Sequence, residues 1–328
     1  MTKDLESIQA SNKERIAVLG GLGFMGSHIC RALLQHDYHV TIFDRPSASR
    51  SLISDIAAQP EIVEGDISLA DDVLGAIAEA DVVINLVHTT VPGSSMKDPA
   101  YDVTSNVVAS VNWLSRLPET KVRQLLYVSS GGTVYGRPLT DPIDETHPTD
   151  PISSYGITKL TIEKYVALYA SQFGIDYRIL RPSNVYGAGQ QLRSGQGVIG
   201  VMAERALRGE ALEIWGTGES QRDYLHVDDL VTAMLMILKY TGQRRIFNVS
   251  GGEGHSVLDI IAILREQLGF ASEIHFSPAR KFDVPRNVLD SSLLHSETGW
   301  QPRVDLKTGI ARTLEWLKTL PKQKTAGN

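Results

Sequence analysis

Cysteine is almost absent: Cys30 is the only one among 328 residues. That excludes an intramolecular disulfide and a thiolate metal cluster, and it fits a reducing, cytoplasmic setting. Long apolar runs are missing too. The longest, Ala233–Leu238, falls far short of the ~20 residues that span a bilayer, and Met1–Arg15 has no apolar signal-peptide core. Positive charge is not in excess: 32 Lys and Arg against 38 Asp and Glu leave a net charge of −6. This argues against partners such as nucleic acid or an anionic membrane surface. The nine histidines show no ligand spacing, so no metal site is expected. Internal repeats and low-complexity runs are also lacking.

What is present is an ordinary globular composition, 42% hydrophobic and 21% charged. At about 150 residues per domain, the length suggests two domains, or one large domain with a lobe. Strand-like and helix-like stretches alternate. Strand patterns are Arg15–Leu19, Tyr38–Phe43, Glu61–Val63, Asp81–Val87, Arg123–Ser129 and Ile175–Arg181. Helical spacing covers Phe24–Gln35, Ser68–Ala78, Pro99–Leu117 and Tyr155–Phe173, the last read as amphipathic and stopped by Gly174. Such alternation predicts α/β architecture: a doubly wound parallel sheet covered on both faces. Beyond residue 182 the pattern loosens, with helices at Asp228–Lys239, Ser256–Leu268 and Asp305–Leu320 and a late strand at Ile246–Val249. The expected organisation is a disordered tail over 1–12, a first domain over 13–181, and a smaller C-terminal α/β lobe over 182–328. Segments near 226–250 would return to the first domain.

The first strand runs into Gly20-x-x-Gly23-x-x-Gly26 and then a helix. Glycines there let the chain turn sharply and bring backbone N–H groups close to a pyrophosphate, with the helix N-terminus adding partial positive charge. A bare strand-to-helix turn is the alternative. Asp44 ends the next strand, 18 residues after Gly26. A carboxylate there hydrogen-bonds ribose hydroxyls and repels a 2′-phosphate, which favours NAD over NADP, whereas the adjacent Arg45 suits a 2′-phosphate. Asp66, followed by Ile67, lies after the third strand and either meets an adenine edge or caps the next helix. This is a Rossmann-type pattern. Cofactor contacts are expected at Gly20, Gly23, Phe24, Met25, Gly26, Asp44, Arg45, Asp66, Ile67 and Val87. His88 either touches the cofactor or packs as a polar residue.

Tyr155 and Lys159 form Tyr-x-x-x-Lys at the start of a helix, on one helical face. An ammonium close to a phenol favours the phenolate, a base able to take or return a hydroxyl proton. Ahead of this pair, Ser129–Gly136 (SSGGTVYG) ends a strand and offers hydroxyls beside the tyrosine.

Taken together, these residues resemble the NAD-dependent epimerase/dehydratase family, the extended short-chain dehydrogenase/reductases, and above all the UDP-glucose 4-epimerases. The resemblance covers about residues 14–318. It also rests on Arg181–Gly187 (RPSNVYG) and Gln221–Leu230 (QRDYLHVDDL). It implies that Tyr155 is the acid/base, that Lys159 holds the nicotinamide ribose and tunes the tyrosine, and that a Ser or Thr hydrogen-bonds the sugar. The family's usual position for that hydroxyl is Gly131 here, so Thr133 is the expected substitute and Ser130 the second. Related 4,6-dehydratases carry Asp-Glu where this chain has Gly132 and Thr133, which favours reversible oxidation at one carbon over elimination. The implied reaction is C4 epimerisation of a nucleotide-diphosphate sugar through a 4-keto intermediate.

By the same resemblance, Asn184, Arg222 and Arg280 contact the diphosphate, Asp283 the nucleotide ribose, and Asn287 limits sugar size. Val198, Ile199, Ile214 and Trp215 either line a uracil pocket or belong to the lobe's core. Asp228 and Asp229 are read as first-turn acids of a helix. The helices over 99–117 and 155–173 would build a homodimer. Alternatives are a nucleotide-sugar dehydratase, a 4-keto-sugar reductase and, from another class, a non-catalytic NAD(P)-sensing regulator.

Overall fold

The structure is a computed structural model that describes residues 14–56, 59–192, 197–269, 272–278 and 284–320. The N-terminal half contributes strands β1 (Arg15–Leu19), β2 (His39–Asp44), β3 (Glu61–Glu64), β4 (Val82–Asn85), β5 (Gln124–Val128) and β6 (Asp176–Pro182). The C-terminal half contributes β7 (Asn184–Tyr186), β8 (Leu212–Trp215), β9 (Gln221–His226), β10 (Ile246–Val249), β11 (Gly254–Ser256), β12 (Ile274–Ser277) and β13 (Arg286–Asn287). Seven of them pair in parallel into one sheet, in the order β10-β6-β5-β4-β1-β2-β3. The late strand thus joins the main sheet, beside β6. Strand order reverses between β1 and β4, which opens a crevice beyond the carboxyl ends of the strands.

The helices are α1 (Phe24–Gln35), α2 (Ala70–Ile77), α3 (Pro92–Ser95), α4 (Pro99–Asp102), α5 (Ala109–Leu114), α6 (Gly131–Val134), α7 (Ser154–Phe173), α8 (Val198–Leu207), α9 (Val227–Leu238), α10 (Val257–Leu268), α11 (Ser292–Thr298) and α12 (Leu306–Thr319). Side chains of β1 alternate between the two faces of the sheet. Ile16 and Val18 pack with Ile29, Leu33, Met234 and Trp300 from the α1 and α9 side. Ala17 and Leu19 pack with Ile77, Trp113, Ile162 and Val166 from the α2, α5 and α7 side. A separate core of Ile199, Ile214, Ile260, Leu264, Ile310 and Leu314 fills the lobe.

Four local readings differ in the structure. The helix expected over 99–117 ends at Leu114, and its middle, Val103–Val108, is a π-helical stretch between α4 and α5. The second helix starts at Ala70, because Asp66 and Ser68 close a turn ahead of it. The helix α7 is not simply amphipathic. Its buried stripe includes Thr158, Lys159 and Glu163 beside Ile162 and Val166, so the inward face is partly polar. Asp229 also does more than face a helix dipole: it is buried, and its oxygens accept from the Arg303 and Val304 N–H groups at 3.0 and 2.9 Å. No helix among the described residues is long and apolar enough to cross a membrane.

Candidate active site

The glycine loop lies at the switch point between β1 and α1. Gly20 holds φ +83°, and a Cβ on Gly26 would stand 2.2 Å from the Gly20 carbonyl oxygen, so both positions need glycine. Gly23 caps α1 from extended backbone and carries no side-chain cap. The Asp44 carboxylate reaches back from β2 to this loop, accepting from the Leu22 N–H at 3.0 Å and the Arg45 N–H at 2.9 Å. Leu22, Gly23, Phe24, Asp44 and Arg45 line a cleft of about 610 Å³. The backbone allows close approach of a diphosphate, and the Asp44 carboxylate borders the same cleft. These residues fit a dinucleotide cofactor.

Other expected cofactor contacts fall in different places. Val87 flanks the loop, its Cγ2 lying 3.2 Å from an ideal Cβ on Gly20. Met25 and Phe24 face the neighbouring cavity described below. The Asp66 carboxylate is engaged by the Ser68 N–H and hydroxyl at 2.9 and 2.8 Å, as a turn-closing group. Ile67 packs on the α2 side of the sheet.

The helix α7 presents the Tyr155–Lys159 pair. Ser153 caps it by accepting from the Gly156 N–H at 3.2 Å, and Gly174 ends it in the left-handed region at φ 70°. The Tyr155 N–H donates to the Ser95 hydroxyl at 3.1 Å, which ties the first turn to α3. Lys159 is buried. Its ammonium donates to the Val128 carbonyl oxygen at 2.9 Å and stands 5.9 Å from the centre of the Tyr155 ring. The ammonium is not bonded to the phenol, and enclosure dominates both groups. Burial lowers Lys159 to about 7, against the opposing charge of Glu163. Burial and the Asp102 charge push the Tyr155 phenol well above its ordinary value.

A cavity of about 450 Å³ opens beside this pair at the carboxyl end of the sheet. Tyr155, Ser130, Thr133, Asn184, Arg222 and Val198 all line it, together with Met25 and Phe24. Buried hydroxyls of Ser129 and Thr133 have no partner among the described residues. Both residues border the cavity, with their hydroxyl oxygens enclosed behind its surface. Gly131 packs too closely for any side chain: a Cβ there would lie 2.3 Å from Leu289 Cδ1 and 2.9 Å from the Arg181 carbonyl oxygen. Position 131 therefore cannot carry the hydroxyl that the resemblance expects there. Gly132 meets nothing closer than Asn184 Oδ1 at 3.9 Å.

In the lobe, the Asn184 amide donates to the Asp223 carbonyl oxygen at 2.9 Å. Arg222 donates to the Gln221 and Val284 carbonyls at 2.9 and 2.7 Å and still borders the cavity. The buried Asp223 carboxylate accepts from the Gly251 and Leu289 N–H groups, which locks β9 to the loops around the site. Asn287 is buried beside Arg222 in the β13–β9 register. Ile199 joins Val198 in the cavity wall, but Ile214 sits inside the lobe core and Trp215 stands 48% exposed on β8. Neither of the last two borders this cavity, because the alternation of β8 sends one inward and the other outward. Arg280 and Asp283 lie outside the described residues.

Sequence reasoning missed Tyr224 and Gln190, which also border the cavity. It also missed a buried cluster behind Tyr155. Asp102 there is wholly buried and meets Thr90, Asn106, Ser154 and Thr158. Only the Thr89-Thr90 pair and the polar positions of α4 hinted at it. No group of metal-ligating side chains occurs among the described residues.

Comparison with known proteins identifies the family. Residues 16–250 match the family described as the NAD dependent epimerase/dehydratase family. A UDP-glucose 4-epimerase of Mycolicibacterium smegmatis is 33% identical over 93% of this chain and 98% of its own length. A dTDP-4-dehydro-6-deoxyglucose reductase of Escherichia coli is 29% identical over 94% of this chain and 99% of its own. The crystal structure of a Thermotoga maritima UDP-glucose 4-epimerase with UDP-glucose superposes with a TM-score of 0.87 at 32% identity, covering 93% of this chain and 98% of that one.

Proposed function

Since the chain belongs to the NAD-dependent epimerase/dehydratase family, we propose that it epimerises a UDP-hexose at C4, with Tyr155 as acid/base. It is an NAD-dependent enzyme of the UDP-sugar 4-epimerase kind. The observation that carries the finer reading is the shared wall of one cavity. Tyr155, Thr133, Ser130, Asn184 and Arg222 all face it, while positions 132 and 133 bring no carboxyl group for elimination.

In this reading bound NAD would supply the hydride acceptor and donor for the sugar's C4, and the 4-keto sugar has to turn over in the cavity so that the hydride comes back to its opposite face. The glycine loop and α1 N-terminus hold the pyrophosphate, and Asp44 holds the adenosine ribose. Thr133, seconded by Ser130, orients the sugar hydroxyl toward Tyr155. The phenol oxygen takes that proton and later gives it back to the 4-keto oxygen. Lys159 donates toward the ribose and supplies positive charge as the phenolate forms. Asn184 and Arg222 bind the diphosphate, where a planar guanidinium can bond two oxygens. Val198 lies against the base, and Arg280 and Asp283 remain assigned to the diphosphate and the ribose.

The exposed Tyr101, Val103, Val108, Ile157 and Leu168 belong to α7 and to the helix from α4 to α5. They support a homodimer built on those helices, which sedimentation would check.

The test is a panel of nucleotide sugars incubated with purified enzyme and no added nicotinamide cofactor, with C4 epimers separated by chromatography. Epimer formation, lost in Tyr155→Phe, is the expected result. The similarity to a 4-keto-sugar reductase supports one other reading. Stoichiometric consumption of NADH with a 4-keto sugar, and no epimer, would favour that reading; a 4-keto-6-deoxy product would favour a dehydratase.

A further inference from the structure

Tyr155 is held from behind as well as from the side of Lys159. His88 follows β4, and its ring meets the Tyr155 ring edge-on, centres 4.5 Å apart and planes at 70°. The His88 side chain is 5% exposed and that of Asp102 is 0% exposed. His88 Nε2 lies 3.6 Å from Asp102 Oδ1 and 3.5 Å from the Thr158 hydroxyl. Asp102 is itself fixed. It accepts from the Ser154 hydroxyl at 2.7 Å, the Asn106 amide at 3.0 Å, the Thr158 hydroxyl at 3.2 Å, and the Thr90 hydroxyl. Asn106 comes from the π-helical stretch, which supplies both that amide and an acceptor for the Thr89 N–H at 2.8 Å.

A carboxylate with four donors stays ionised, so the imidazole nitrogen facing it carries the proton. Nδ1 is then the unprotonated atom, and it is buried with no partner among the described residues. Burial and the Lys159 charge lower His88 to about 4, so the ring is neutral. The titratable groups around Tyr155 are Lys159 on its own helix, Asp102 on α4, His88 after β4 and Tyr127 on β5. Asp102 is the anion among them.

We propose that Asp102 and His88 form a positioning pair for Tyr155, in which the carboxylate fixes the imidazole and the imidazole fixes the phenol at the cavity wall. The pair holds the phenol oxygen in line with the substrate hydroxyl, and the Asp102 charge raises the pH at which Tyr155 becomes the phenolate that takes the proton. This rests on the reading of Tyr155 as acid/base.

The test uses the full-length, NAD-loaded enzyme and the sugar turned over most readily in the panel. His88→Ala is expected to lower kcat about tenfold while KM changes less than about threefold. His88→Gln, which keeps an N–H donor at the reach of Nε2, is expected to recover most of that loss. Asp102→Asn removes the negative charge and is expected to move the midpoint of the kcat–pH profile down by about one unit. The proposal is overturned if His88→Ala keeps wild-type kcat, or if its kcat and melting temperature fall together without rescue by His88→Gln. The histidine variants decide the matter even where Asp102→Asn does not fold. Failure of the acid/base reading looks different, since Tyr155→Phe would then retain turnover whatever the histidine variants do.

Discussion

The Lys159 ammonium is bonded to the Val128 carbonyl oxygen at 2.9 Å and stands 5.9 Å from the centre of the Tyr155 ring. The lysine thus clamps α7 to β5 without a hydrogen bond to the phenol. Burial lowers it from 10.5 to about 7. The unfolded chain binds that proton more readily, so unfolding takes up a proton between those two values and stability rises with pH across that window. In the ligand-free protein this one group contributes a slope of up to about 1.4 kcal/mol per pH unit. Lys159→Met is expected to lose that slope and to melt higher at neutral pH, while kcat falls about 10²-fold or more. Melting curves of both proteins over the alkaline range check it.

Gly131 stands at the position where the sequence resemblance expects a sugar-binding hydroxyl, and its contacts with Leu289 and the Arg181 carbonyl leave no room for one. Gly131→Ser is expected to destabilise the fold by about 1–3 kcal/mol. Thr133→Ala is expected to lower kcat about 10²-fold, and Ser130→Ala to have a smaller effect. Denaturant melts and steady-state kinetics measure these. If neither hydroxyl variant alters kcat, Thr133 and Ser130 are not the sugar's partners.

Asp44 leaves a carboxylate at the mouth of the cofactor cleft beside Arg45. NAD(H) is expected to bind at least about tenfold more tightly than NADP(H), because a fixed carboxylate repels a 2′-phosphate. Asp44→Asn should narrow that ratio by weakening NAD(H) and tolerating NADP(H). Dissociation constants from fluorescence titration decide it, and equal constants in the parent protein would sink the assignment.

Glu163 and Arg181 form a buried pair with two contacts, 2.6 and 3.0 Å, on the face of α7 that carries Tyr155 and Lys159. Glu163→Gln leaves Arg181 buried without its counter-charge and is expected to cost about 3–5 kcal/mol. It also removes the charge that raises Lys159, so the slope that this lysine gives to stability should begin at a lower pH. Denaturant titrations at several pH values test both effects.

The glycine loop, the acid at the end of β2 and Tyr-x-x-x-Lys were legible because each is a local pattern that spacing alone reveals. The parallel sheet was legible from runs such as those of β1 and β4, buried on both faces. Contacts set by tertiary approach were not. Nothing near Gly131 announces Leu289, which lies 158 positions later (289 − 131). His88 and Asp102 become partners only because a π turn follows α4 and the helix lies against α7. Ile214 and Trp215 defeat a reading by composition, since adjacent strand positions face opposite ways. The polar stripe of α7 defeats a reading by apolar period, because that stripe carries the candidate chemistry.

The parallel pairing of β10 with β6 has a consequence for how the polypeptide is made. Residues 246–249 close one border of the sheet, and Asn248 accepts a hydrogen bond from the Tyr135 hydroxyl at 2.7 Å. A nascent chain released before that stretch emerges from the ribosome would expose an open strand margin. The first 182 residues are therefore a poor choice for expression by themselves, and a graft that exchanges one C-terminal lobe for another must bring its own matching border strand.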